Sequence, residues 1–168
     1  IVKKIRLIQL LKEERTALIN HAITKGLDPT APMKDSGIEW LGEIPMHWDI
    51  VRLKFLAKTI QTGNTPPSEK MEYYENPDLD WFTPSDFGDN LFLKDSNRKI
   101  NSKAIIDGVA KIFNPHSVLI IGIGATLGKV GIIEMPASSN QQINSIEFND
   151  LMNPIFGAYF LKTFESAV

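Results

Sequence analysis

The stretch SVLIIGIGATLGKVGII, residues 117–133, decides how this chain is built. From Ser117 to Gly124 it is apolar on both faces of a strand, so it reads as a central strand buried on both sides. Past a glycine-rich turn, Lys129-Val130-Gly131-Ile132-Ile133 returns as the second arm of a hairpin. The glycines also raise a phosphate-loop reading, which fails on spacing. A Walker A loop needs Gly, four residues, then Gly-Lys-Ser/Thr; Ile123 stands where the first Gly belongs and Val130 replaces the magnesium-binding hydroxyl. A dinucleotide fingerprint must open a helix, whereas Val130, Ile132 and Ile133 continue as β structure. The glycines are those of a tight hairpin whose backbones approach closely.

Outward from the hairpin, short β segments alternate with loops. Residues 50–56 read as a strand or short helix, residues 58–63 as a strand, and residues 80–83 as a short strand stopped by Pro84-Ser85-Asp86. Residues 94–100 suggest another strand, and residues 101–107 a short helix capped by Asn101 or Ser102. Residues 144–148 alternate apolar and polar, as a half-buried strand does. Residues 154–164 close the chain as a helix, with Ile155, Tyr159, Phe160 and Phe164 expected on its buried side.

Toward the N-terminus the texture changes. Residues 2–25 read as one helix, with Ile5, Ile8, Leu11, Leu18 and Ala22 recurring at spacings of three, four and seven. Leu7, Leu10 and Ile19 widen the stripe, and Arg15 falls in the seam, as a polar residue does when it fixes register. Gly26 suits the position after the last turn, and Pro29 forbids continuation. A helix of this length spans ~36 Å. So long an apolar stripe calls for a partner helix, from the same polypeptide or another. Residues 27–48, rich in Gly and Pro, read as a linker that Trp40, Leu41, Ile44 and Trp48 pin onto the body. The division expected is residues 1–26 as helix, 27–48 as linker and 49–168 as body. The fold class expected is α+β, a long N-terminal helix of coiled-coil type followed by a loop-rich, β-containing body.

Composition narrows the function. The chain has 168 residues, 43% hydrophobic and 23% charged, ordinary for a globular protein. There is no Cys, which excludes disulfides, thiolate metal sites and a Cys nucleophile, and three scattered His make a His-based zinc site a poor expectation. No cofactor is expected. No apolar run approaches the roughly 20 residues that cross a bilayer. No membrane partner is expected, and the cytoplasm is the expected compartment. The chain begins at Ile1, so it is expected to be a piece of something longer. The net charge of −2 hides an asymmetry: residues 1–26 carry six basic and two acidic residues, +4, and the remainder carries 12 basic and 18 acidic, −6.

With catalytic motifs failing, the notable residues are groups that can read a nucleobase edge. Gln61, Thr62, Asn64 and Thr65 form one set; Thr83, Ser85 and Asp86 a second; Ser138, Ser139, Asn140, Gln141 and Gln142 a third, in a loop between two strands. An Asn or Gln amide carries a donor and an acceptor, matching the major-groove edge of adenine. Lys94, Arg98, Lys99, Lys103 and Lys129 are candidates for phosphate contact. Two other classes stay open. One is an adaptor that works through its helix alone. The other is an enzyme using loop carboxylates such as Asp78, Asp80, Asp86 and Asp89.

Several stretches carry a more specific resemblance. MKDSGIEWLGEIPMHW (33–48) followed by Arg52-Leu53, TGNTP (62–66), WFTPSD (81–86), and GATLGK (124–129) with Asn140-Gln141-Gln142 resemble, in that order, the target recognition domain of type I restriction–modification specificity subunits. The N-terminal helix, with Glu14-Arg15, Leu18-Ile19 and Ala22-Ile23, is similar to that family's spacer helix. The resemblance implies one spacer helix plus one target recognition domain, itself without an active site. It implies that the domain reads one half of a split target in double-stranded DNA. The helix would pack antiparallel on a partner helix from a missing half or another copy. It would also dock DNA adenine methyltransferase subunits and, through them, restriction (motor-nuclease) subunits. The loops named above, with Thr126 of the hairpin, would face DNA.

Overall fold

The structure, a computed structural model, describes residues 1–166. The last two residues of the expected body lie outside the described residues. The chain divides into two compact units, residues 1–51 and the chain from Arg52 onward.

The first unit is dominated by α1 (Val2–Lys25), which ends at Gly26 with φ 83° and the Gly26 N–H donating to Ala22 O. Ile23 is the one buried residue of α1. Ile5, Ile8, Leu11 and Leu18 are 62%, 57%, 53% and 64% exposed, and Ala22 is half-buried. Among the described residues, the stripe seen in the sequence is therefore uncovered. The stretch expected as a linker holds a small antiparallel hairpin, β1 (Met33–Asp35) and β2 (Glu43–Pro45), with Met33 opposite Pro45. Lys25 Nζ donates to Leu41 O at 3.1 Å and to Glu43 O, tying the end of α1 to that hairpin. Of the four expected anchors, Leu41 and Ile44 are buried, Trp48 is half-buried and Trp40 is exposed.

The second unit is built on two sheets. Its elements are α2 (Leu53–Leu56), β3 (Ala57–Thr62), β4 (Leu79–Phe82), β5 (Phe92–Leu93), β6 (Lys99–Ile100), α3 (Lys103–Ile106), β7 (Val118–Ile121), β8 (Val130–Ile133), β9 (Ala137–Ser139), β10 (Ile143–Phe148) and α4 (Pro154–Lys162). A five-stranded sheet has the order β3-β10-β7-β8-β5, and a three-stranded sheet has the order β6-β4-β9. β7 and β8 form the expected antiparallel hairpin, Val118 opposite Ile132, and β7 is central. Alternation along β7 and β8 supplies two cores. Leu119, Ile121 and Ile133 join Phe82, Phe87, Leu93, Phe113 and Ala137 on one face. Val118, Val130 and Ile132 join Leu91 and Ala158 of α4 on the other.

Three local expectations change. Residues 94–100 are not one strand: β5 and β6 flank an irregular segment whose amides bond side chains instead of a ladder. Ser96 N donates to Asp80 Oδ1 and Asn97 N to Asp86 Oδ1. Ser138 and Ser139 are not loop residues; they are buried in β9, which runs parallel to β4 with Trp81 opposite Ser138. Finally, α4 packs through Gly157 and Ala158 while Ile155 is 40% exposed. The close approach explains this, since a Cβ on Gly157 would come within 2.6 Å of the Phe148 ring.

Candidate nucleic-acid interface

The site grows from the end of β4. Trp81 is 2% exposed, and its indole N–H donates to Asn64 O at 3.0 Å, drawing the loop after β3 toward β4. Its backbone N–H is held by Ser96 Oγ and Arg98 O, at 3.0 and 3.1 Å. The Arg98 guanidinium lies over the Trp81 ring, 4.8 Å from its centroid.

Next along the chain, Pro84–Asp86 form a 3-10 turn closed by a capping box. Asp86 Oδ2 accepts from Thr83 N at 2.7 Å and from Thr83 Oγ1 at 2.9 Å. Asp86 Oδ1 accepts from Asn97 N and Nδ2, at 2.8 and 2.7 Å. With both oxygens engaged twice, Asp86 braces the turn against the segment carrying Arg98. Thr83 Oγ1 and Ser85 Oγ lie 2.8 Å apart, and Ser85 is exposed.

The loop after β3 reaches the segment after β9 because position 63 is glycine. A Cβ there would run into the Ser139 hydroxyl, Ser139 O and Asn140 O. Gly63 N donates to Ile143 O at 3.0 Å, and Thr65 Oγ1 donates to Gln141 Oε1. In the next turn, Asn140 Oδ1 accepts from the Gln142 backbone N–H at 3.1 Å, which leaves Asn140 Nδ2 as donor to Gln142 Oε1 at 2.9 Å. Gln142 Nε2 then lies beside Gly124, where a Cβ would sit 3.4 Å from it. Gly124 has φ 109°, in the left-handed region that glycine accepts.

These segments enclose an open cleft of about 450 Å³ lined by Thr83, Pro84 and Ser85, by Arg98, by residues 123–126 of the β7–β8 turn, and by Gln142. Four sequence-distant pieces thus meet on one concave surface. Of the residues singled out from sequence, Thr83, Ser85, Arg98, Thr126 and Gln142 line it. Asn140 bonds to Gln142 of the lining, whereas Asn64 and Thr65 bond to Trp81 and Gln141, which lie outside it.

The others are placed elsewhere or used internally. Gln61 Nε2 donates to Ile112 O, and Thr62 Oγ1 to Asn144 Oδ1. Lys129 Nζ donates to Phe87 O at 3.1 Å. Lys99 pairs with Asp80 at 3.1 Å, and Lys103 pairs with Asp107 at 2.7 Å. Lys94 is exposed between β5 and β6. Sequence reasoning missed Trp81 and Asn97 as the groups that hold the cleft together. A lone Trp or Asn beside a loop carries no signal of such a bond.

The loop carboxylates do not converge. Asp78 accepts from Ser102 N and Oγ, and the Ser102 hydroxyl, then its amide, holds it below the ordinary carboxylate range. Burial pushes Asp80 up, but Ser96 N, Ser96 Oγ and the Lys99 ammonium outweigh it, and its net pKa is lowered. Among the described residues no group of three or more His, Asp or Glu side chains is placed to hold a metal ion.

Comparison with known proteins now places the chain. A family model described as type I restriction modification DNA specificity domain matches residues 45–167, and the chain belongs to that family. One relative is the type I restriction enzyme MjaIX specificity subunit of Methanocaldococcus jannaschii, 28% identical over 125 residues, covering 73% of this chain and 28% of that protein. Another is the EcoR124I/EcoR124II specificity subunit of Escherichia coli, 27% identical over 124 residues, covering 71% of this chain and 27% of that protein. The chain thus spans little more than a quarter of these relatives. The crystal structure of the HsdS subunit from Thermoanaerobacter tengcongensis shares the fold, with a TM-score of 0.60 at 20% identity over 99% of this chain and 38% of that one. The resemblance carried by the motifs is borne out, as is the α+β class with its long N-terminal helix.

Proposed function

We propose that this chain reads one half of a bipartite DNA target as part of a type I restriction–modification specificity subunit, and contributes selectivity, not bond-breaking chemistry. The observation that carries this reading is the cleft, where Thr83, Ser85, Arg98, Thr126 and Gln142 are gathered from four separate segments. Family membership and the names of the relatives support the DNA target. The loops enter a groove, and side-chain donors and hydroxyls discriminate bases at ~1–3 kcal/mol per good bidentate contact. Residues 27–168 carry a net −6, which opposes tight unaided binding because affinity for DNA comes largely from phosphate neutralisation. Methyltransferase subunits, docked through the uncovered stripe of α1 or beside a partner helix, therefore supply much of the affinity. The expected compartment is the cytoplasm, where the DNA is.

Selection of random duplexes by the chain reassembled with methyltransferase subunits tests this. Enrichment of a short fixed sequence that changes when residues 49–168 are exchanged for another recognition body is the expected result. Retention of the same sequence after that exchange defeats the reading and favours an adaptor acting through α1.

A further inference from the structure

The polarity of the cleft points to one kind of base. Of the lining side chains, the hydroxyls of Thr83, Ser85 and Thr126 adapt as donor or acceptor, but Arg98 and Gln142 do not. Arg98 has N–H donors alone. Gln142 has its amide orientation set by a chain of bonds that starts at a backbone N–H: that N–H holds Asn140 Oδ1, which turns Asn140 Nδ2 toward Gln142 Oε1. Its oxygen is engaged and its Nε2 lies on the cleft side, beside Gly124. An amide in that state already shares its acceptor with Asn140 and presents its donor to the cleft.

Arg98 also differs from three of the other basic candidates, Lys99, Lys103 and Lys129. Lys99, Lys103 and Lys129 answer Asp80, Asp107 and Phe87 O. No ion pair among the described residues engages Arg98; its guanidinium is laid on the Trp81 ring instead. Its backbone carbonyl accepts from Trp81 N and Ser96 Oγ, so the residue is anchored at both ends of its side chain. A planar fork held in one orientation is costly to reproduce with a mobile lysine and suits two acceptors on one edge. Guanine offers that edge, O6 and N7, in the major groove.

Resting on the DNA-reading function above, we propose that Arg98 reads a guanine in this chain's half-site, donating to O6 and N7, with Gln142 Nε2 as an adjacent donor. Arg98 is then a specificity-determining residue, not a phosphate clamp.

The test measures binding of the assembled complex that contains this chain to duplexes with every half-site position substituted in turn, across a salt series. The native complex is expected to prefer G·C at one position by about 5- to 150-fold. Arg98→Ala is expected to abolish that preference, and Arg98→Lys, which keeps the charge and loses the fork, to reduce it with the salt slope unchanged. Placing 7-deazaguanine at the position leaves the protein untouched, and is expected to weaken native binding and not that of Arg98→Ala. If Arg98→Ala keeps the preference, or weakens all duplexes equally while lowering the salt slope by about 0.9, Arg98 does not read the base and the inference falls, with DNA reading intact. If the native complex shows no positional preference that depends on this body, the reading function itself fails.

Discussion

Leu18 on α1 is 64% exposed, whereas Ser139 in β9 has no exposed surface. The two regions invert the usual relation between side-chain type and burial, for different reasons. The helix is made by hydrogen bonds between residues four apart, so its backbone is complete while its apolar stripe stays exposed. The cleft is made by bonds between residues far apart in sequence. Ser138 and Ser139 do not line it; they are buried because β9 lies directly beside β4 and under the loop at Gly63. On the reading proposed above, the exposed apolar stripe of α1 is a place for assembly, and the buried serines of β9 are scaffold behind the cleft.

That contrast is open to test by substitutions in each region. Trp81→Ala should have the largest effect, since it empties a buried site, removes the bond to Asn64 O and takes away the platform under Arg98. A loss of about 3–5 kcal/mol in chemical denaturation is expected, and a smaller loss would mean the loops hold one another without it. Gly63→Ala should cost about 1–3 kcal/mol by overpacking against Ser139 and Asn140. It should also blur DNA preference, read by the duplex selection described above.

Asp80 sharpens the comparison through pH. Burial works against its ionised form, but Ser96 and Lys99 hold its folded pKa below the unfolded one. Its contribution is therefore present above about pH 4 and lost as pH falls through the folded pKa. Asp80→Asn should cost about 1 kcal/mol at neutral pH and flatten the acid limb of a stability–pH curve. The smallest effect on folding belongs to α1. Replacing Ile8, Leu11 and Leu18 with Ser one at a time should shift stability by less than about 0.5 kcal/mol each, while all three together abolish assembly with partner subunits by light scattering. A large stability loss would show that the stripe is a core after all.

The parts legible in sequence are those with a local period. Residues 2–25 were readable because the helical spacing persists to Gly26, and β7 because both its faces are apolar. The β1–β2 hairpin was not, because three-residue strands are too short to show alternation. Nor was β9, because Ala-Ser-Ser resembles a loop until β4 is laid beside it. The site divides likewise. Thr83, Ser85, Thr126 and Gln142 were visible as polar loop residues, but the internal use of Asp86, Lys99 and Lys129 depends on partners 11, 19 and 42 positions away.

The order of side chains along the chain determined, by itself, the helix, the central hairpin and the family, because each is written in spacing or motif within a few turns or strands. Only the tertiary structure decided which polar groups remain available to a ligand. Whether an amide or a cation is available depends on whether another part of the chain has already answered it, and that is a property of proximity in space.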